Sequence, residues 1–488
     1  MIRNRIIRKH PPGPVNFNGP TGLTWRHAYH LVFTPLRFLQ KLAREHGDIS
    51  FFRLFGRRGY FLNHPDLISQ VLIKESDAFE KLPRQMNVIR QIFGDGLLVS
   101  EGQRWKTDRQ FLQKAFGKQI MLRSQESSVQ ATSNLIDSWL SQQPANKPVE
   151  LVWEMTRLTA ELTSRVLVDT DDSETMDKLT EAIIFLSDEM AHEMNSAFCL
   201  PDWFPLSRKR RKRKAIQIYI QFFDQMIEER RNSKEQKKDF LGFLLQTALP
   251  AGASPRFVRD QFLTILLAGY HATSMSLVWL FHALEQNPEV EDRILDEIRE
   301  QRAKNPILEF QQLSYVRWTV EETLRMYSPA WSLFARRSTR DVEMRGYNIE
   351  AGGWFYIAPF ITHRSEQFFP DPLRFEPLRF SPERRKDIPK NAYLPFGLGG
   401  HSCIGGRMAI EQLVVCAALI VEQFKIRRVV AQPNPKLSAR LVLRPARDFD
   451  CTFEPREKIG SWHNQISTEK SDNKQTSLNR ASKILDTI

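Results

Sequence analysis

Cysteine is scarce in this chain: Cys199, Cys403, Cys416 and Cys451 are the only four among 488 residues. None stands in a C-x-x-C pair, which argues against a zinc ribbon, and four scattered thiols make no disulfide framework. For Cys199, Cys416 and Cys451 the expectation is a small buried hydrophobe in a reducing compartment, hence a cytoplasmic protein. Long apolar runs are equally rare. The N-terminal MIRNRIIRKHPPGP holds no apolar segment of signal-peptide length, and no anchor precedes Pro11. One stretch reaches the roughly 20 residues a bilayer requires: Phe262 to Leu284, without an Asp, Glu, Lys or Arg. Gly269, Tyr270, His271, Thr273, Ser274, Ser276 and His282 interrupt it, and no second stretch exists to accompany it. It is expected as a buried helix of a soluble protein, with no transmembrane segment.

Acidic charge is also short, 57 Asp and Glu against 70 Lys and Arg, for a net +13 that favours acidic partners. A nucleic acid is the weakest of these, since no binding motif and no basic face interleaved with aromatics is present. An acidic electron-transfer protein or peripheral contact with an anionic membrane remains. The densest basic run, Ser207 to Lys214, is read as the solvated start of a helix, because the apolar pattern AIQIYIQFFDQMI follows at once.

What is present is mostly helical pattern. PLRFLQKLAREHGD (Pro35–Asp48) has helical spacing and stops at Gly47, and Ile49–Asn63 reads as a hairpin turning at Gly56-Arg57-Arg58-Gly59. Helices dominate from about Asp66 to Tyr327, strands follow Pro329, and FFPDPLRFEPLRFSPERR (Phe368–Arg385) is irregular. The end of the chain, residues 456–488, is polar and aperiodic and is expected to be a disordered tail.

Chemistry concentrates in YLPFGLGGHSCIGGRMAIEQLVVCAALIV, from Tyr393. Five glycines surround Cys403 and an apolar helix starts just after it. A helix N-terminus offers free N–H groups and a dipole that favour a thiolate, and glycines let backbone amides approach the sulfur. Such a thiolate is a good soft metal ligand, and a thiolate-bound haem promotes O–O cleavage; a Gly-rich loop with an incidental cysteine is the plain alternative.

Phe396-x-x-Gly399-x-His401-x-Cys403-x-Gly405 resembles the haem-ligand signature of the cytochrome P450 family, with His where many members have Arg. Glu322-Thr-Leu-Arg325 is similar to the family's Glu-x-x-Arg motif, an i,i+3 pair that can share a helix face. By resemblance Arg379 completes a buried structural network with them. Trp105-x-x-x-Arg109 resembles the helix that holds a haem propionate, for which the planar donor fork of arginine is suited. Arg336 and His401 look like further propionate contacts, although Arg337 is adjacent and the register could slip by one. The resemblance covers about Pro11 to Pro455 and implies that residues 1–455 form a single domain. It implies a mainly α fold with a smaller β-rich lobe (α+β) and haem b (iron protoporphyrin IX) between two central helices. Cys403 is then the axial iron ligand, Phe396 packs beside it, and Trp331, Leu333, Phe334 and part of the 85–100 loop line the substrate pocket.

In the family the helix over the haem carries a small residue, Gly, any residue, an acid and Thr. Here Ala268 and Gly269 fit, but His271 and Ala272 replace the acid and the threonine, and Thr273 lies one residue on, rotated by about 100°. The resemblance implies a monooxygenase, R–H + O₂ + 2 e⁻ + 2 H⁺ → R–OH + H₂O, on a small apolar organic substrate. His271, titrating near neutral pH, would then join ordered water in proton delivery; alternatively its ring turns away to a backbone carbonyl. Peroxide-using, substrate-assisted and isomerase- or dehydratase-like haem-thiolate enzymes are the alternatives, and a non-catalytic haem sensor a remoter one. No flavin or iron–sulfur module is evident, so electrons are expected from a separate ferredoxin- or flavodoxin-type donor with an NAD(P)H reductase.

Overall fold

The computed structural model describes residues 25–54, 56–141, 147–169, 184–194, 196, 200–233, 237–429 and 432–456. Cys199 and the tail from residue 457 lie outside the described residues. The fold is mainly α with a smaller β-rich lobe. That lobe is built on a five-stranded sheet of β1 (Ile49–Leu54), β2 (Arg57–Leu62), β3 (Phe79–Lys81), β4 (Arg336–Ser338) and β5 (Trp354–Ile357). Their spatial order is β1-β2-β5-β4-β3, with β2 and β5 parallel and the other pairs antiparallel. The hairpin differs in detail from the sequence expectation. Leu54 pairs with Arg57, so Arg57, Arg58 and Gly59 belong to the strand and not to the turn. Gly59 is there for room, since a Cβ on it would lie 2.8 Å from the Phe52 ring.

The interior is framed by helices α1 (Gly102–Ala115), α2 (Leu151–Val168), α3 (184–194), α4 (Ser207–Asn232), α5 (Pro255–Gln286), α6 (Ser314–Met326) and α7 (Gly406–Gln423). Ser254 starts α5 by accepting a hydrogen bond from the Phe257 amide at 3.1 Å, with Pro255 in the first turn, where a missing N–H costs nothing. Among the described residues α5 is the one helix long and apolar enough to cross a membrane, but its apolar stretch is buried inside the protein against α2, α6 and α7. A helix apolar all round needs a partner on every face, and here other helices supply it.

On α6, Glu322 and Arg325 are fully buried and meet in two hydrogen bonds of 2.6 and 2.8 Å. The remaining Arg325 donors reach the carbonyls of His363 and Pro372, at 2.6 and 2.9 Å, and Glu322 also accepts the Glu376 amide. Arg379 approaches Glu322 to 3.6 Å. Every charge in this knot is opposed, which is what makes deep burial tolerable.

The basic run is a correction. Lys209 and Lys212 are not solvated: Lys212 is 0% exposed and reaches Glu193 at 2.8 Å, Asp202 at 3.0 Å and the Gln91 side chain at 3.0 Å. Lys209 shares Glu193 and Asp202. The two lysines are three apart on α4 and therefore lie on one face, turned inward onto Glu193 of α3 and Asp202 of the segment between α3 and α4. Arg456, counted with the tail from sequence, instead donates to the carbonyls of Val421 and Phe424.

Candidate active site

The loop before α7 is shaped by close contacts. Gly399 has φ +70°, and a Cβ there would lie 2.1 Å from the Leu72 carbonyl oxygen. At Gly400 a Cβ would meet the Trp105 ring at 2.8 Å. The Cys403 amide donates to the Phe396 carbonyl at 2.8 Å, and the Phe396 ring lies against Gly406. Cys403 thus sits at the N-terminal end of α7, deep in the molecule, yet exposed, because it opens onto an internal cavity of ≈ 380 Å³. The helix terminus does not by itself make a thiolate. Burial pushes the Cys403 thiol up, against the opposing pull of the Gly405 amide and the Arg109 guanidinium.

Cations ring one end of the cavity. Arg109 donates to the Ser402 carbonyl at 2.8 Å, and Arg336 to the Phe334 carbonyl at 2.6 Å. Burial lowers both guanidinium groups from their usual range, Arg336 to about 10. Among the described residues neither has a carboxylate within ion-pair distance. Its neighbour Arg337 is turned out to solvent and paired with Glu80. His401 stacks on Trp105, ring centroids 3.9 Å apart, and its pKa is pushed down to about 3 by burial and by Lys81, Arg336 and Arg109.

Lys81 is the site residue that sequence reasoning missed. It lines the cavity, donates to the Leu98 and Ser100 carbonyls at 2.8 and 3.0 Å, and lies 3.7 Å from Glu101. Burial lowers it to about 8. No motif carries it; only the pairing of β3 with β4 brings it beside Arg336.

The haem implied by the resemblance fits these residues. A buried Arg336 and a half-buried Arg109, neither with a carboxylate partner among the described residues, suit a group bearing two carboxylates, since an unpaired charge away from water is costly. The cysteine faces the same space, and the walls are apolar.

Opposite Cys403, α5 supplies Ile265, Ala268, Gly269, Ala272, Thr273 and Ser276 to the wall. Ala268 is exposed in the middle of an otherwise buried helix, so its small side chain borders open space. No bulge interrupts α5 here, so Thr273 stays rotated away from the Ala272 position. His271 also lines the cavity, and its behaviour is a correction. Burial, with the nearby Arg444 cation, lowers it to about 4, so the ring is neutral at pH 7 and is no side-chain acid. Its Nδ1 pairs with the Ser187 hydroxyl of α3 at 3.0 Å, not with a backbone carbonyl.

Leu333, Phe334, Leu97 and Leu98 line the cavity. Trp331 does not: its indole N–H donates to the Arg440 carbonyl at 2.7 Å and its ring packs in a separate cluster with Phe38 and Tyr356. A buried indole follows its hydrogen-bond acceptor, and here that acceptor lies away from the cavity. Cys416 is buried in α7, where the Thr132 hydroxyl donates to its sulfur, and Cys451 is buried in a strand.

Comparison with known proteins gives the same direction. The family model described as Cytochrome P450 matches residues 17–453. The chain is 32% identical over 426 residues to cyclooctat-9-en-7-ol 5-monooxygenase of Streptomyces melanosporofaciens, covering 86% of this chain and 89% of the relative. It is 29% identical over 423 residues to cyclooctatin synthase of the same organism (84% and 90% covered). Pentalenene oxygenase of Streptomyces avermitilis is 26% identical over 441 residues (89% and 94% covered).

Proposed function

The chain belongs to the cytochrome P450 family and is a haem-thiolate monooxygenase, and we propose that it oxidises a compact, ring-containing apolar substrate of the terpene type, with Cys403 as the iron ligand. The observation that carries this is the deep cysteine opening onto an apolar cavity whose cationic end has two unpaired arginines. The names of the relatives support the substrate class.

In this reading Arg109 and Arg336 hold the haem carboxylates, with Trp105 and His401 closing the same edge and Lys81 adding a third cation. Phe396 and Gly405 pack at the sulfur. Glu322, Arg325 and Arg379 keep the fold and touch neither cofactor nor substrate. When bound, the thiolate-ligated haem supplies the oxygen chemistry, favouring O–O cleavage. Ala268, Gly269 and Ala272 leave room on the opposite face, and Leu97, Leu333 and Phe334 exclude water from it. His271, lowered to about 4 by burial, carries no imidazolium proton to give at pH 7 and orients rather than protonates.

Electrons come from a separate protein, which we take to be an acidic ferredoxin- or flavodoxin-type donor in the cytoplasm. In support, α1 touches the cysteine loop and exposes Arg104, Lys106 and Lys114, and Arg407 is exposed at the start of α7. The ferrous–CO spectrum tests the assignment. The protein should show the red-shifted Soret band of a thiolate haem, Cys403→His should lose it, and Cys416→Ser should keep it. A thiolate band that survives in Cys403→His refutes the ligand.

A further inference from the structure

The wall that α5 gives to the cavity carries four polar side chains, Thr264, His271, Thr273 and Ser276, and where α5 meets α3 the hydrogen bonding is incomplete. Thr264 donates its hydroxyl proton to the Asp260 carbonyl and Ser276 donates to Ala272, both at 2.8 Å, so each is engaged within its own helix. His271 differs. Its Nδ1 is taken by Ser187 at 3.0 Å, while its Nε2 has no hydrogen bond among the described residues and is not sealed off. At about 100° per residue, His271 shares a flank of α5 with Thr264, and Thr273 lies about 200° round, on the other side.

The ring is held firmly. Ser187 and Met190 are three apart on α3, and Met190 lines the cavity with His271. α3 is fixed on its other polar residues: Asp188 pairs with Arg444 at 3.0 Å, Glu189 with Arg208, and Glu193 with Lys212 at 2.8 Å. These pairs hold α3 in place, and with it the Ser187 hydroxyl that bonds the imidazole.

We propose that His271, held through Nδ1 by the buried Ser187, forms a hydroxyl-binding subsite, so that the preferred substrate is a cyclic apolar molecule that already carries an alcohol. A neutral imidazole with Nδ1 engaged presents at Nε2 either a donor or an acceptor, according to tautomer. A hydroxyl satisfies both; a ketone oxygen only accepts, and a plain hydrocarbon does neither and leaves a buried polar atom unpaired. The alcohol end would face α3, leaving the ring carbons over Ala268 and Ala272. The reaction that supplies this substrate is then an earlier hydroxylation, or a cyclisation ended by water. The inference rests on the reading of the cavity as the chamber for a ring-containing apolar substrate.

The test is a titration of the holoenzyme, following the Soret shift, with trans-decalin, trans-2-decalol and trans-2-decalone, and with cedrane and cedrol. Alcohols should bind about tenfold more tightly than their hydrocarbons, the expected value of one buried hydrogen bond. His271→Phe should reduce that ratio to near one while hydrocarbon binding persists, and His271→Gln should restore part of it. Ser187→Ala should reduce the ratio severalfold and Ser187→Thr should recover it, which a merely structural role would not produce. Equal affinity for alcohol and hydrocarbon in the wild type, or an alcohol preference that survives His271→Phe, overturns the subsite alone. If no ring compound binds a holoenzyme with a normal thiolate band, the substrate reading itself fails and the subsite with it.

Discussion

Two buried charge clusters hold this protein, and they differ in how they are assembled. The first, Glu322 with Arg325 and Arg379, is seeded within one turn of α6 and closed by backbone carbonyls from the irregular stretch after residue 363. The second, Glu193 and Asp202 with Lys209 and Lys212, joins α3, the segment that follows it and α4, with Gln91 reaching in from a fourth element. Both place cations where water cannot reach. The first has one arginine fork satisfied on all sides, and its failure should be abrupt. The second distributes two lysines over two carboxylates, and the loss of one lysine leaves another. The first secures the fold around the cysteine loop, whereas the second secures α3, whose Met190 lines the cavity and whose Ser187 bonds His271.

The sharpest way to break the comparison is Arg325→Leu. Glu322 would be left buried and unopposed, at a cost of about 3–5 kcal/mol, and thermal unfolding should show a large loss together with poor haem retention. A drop below about 1 kcal/mol would mean that the two clusters are not different in kind. Lys212→Met should cost less, about 2 kcal/mol, since Lys209 still faces Glu193 and Asp202. Hydrogen exchange should show its effect concentrated in 184–194 and in Ser207–Asn232, with α6 unchanged.

Over the window from pH 7 to 5 acid has an effect no larger than that of Lys212→Met, and it acts on the first cluster through a histidine. His363, beside the first, accepts the Leu394 amide on Nε2 at 2.9 Å, lies 3.2 Å from the Arg325 carbonyl through Nδ1, and is lowered to about 3 by burial. A histidine lowered in the folded state binds its proton more readily when unfolded. Its contribution is therefore present above the unfolded value near 6.5 and is lost as pH falls from there toward about 3, by up to about 1.4 kcal/mol per unit. Denaturant unfolding between pH 7 and 5 should show this slope, and His363→Gln should flatten it; an unchanged slope would place the acid sensitivity elsewhere.

These clusters also mark what could be read in advance. Glu322-x-x-Arg325 is legible because it lies at the right spacing before the cysteine loop to match a family motif, and that loop because its glycines and Cys403 match a signature; that Leu72 and Trp105 press on Gly399 and Gly400 is a tertiary fact. Lys209 and Lys212 were misread because a run of lysines and arginines looks solvated until the chain folds back and sets Glu193 and Asp202 against it. Lys81 was missed for the same reason, and Trp331 was assigned to the cavity because nothing local announces that its indole bonds to Arg440.

By itself, then, the sequence determined the helical character and the cysteine loop from local spacing, and the family and Arg109 by resemblance, while Arg336 against Arg337 was left for the structure to decide. Tertiary structure alone decided which charges are buried, that His271 is neutral and tied to Ser187, and which side chains reach the cavity. Desolvation and partner choice depend on segments far apart in the chain, and no local pattern encodes them.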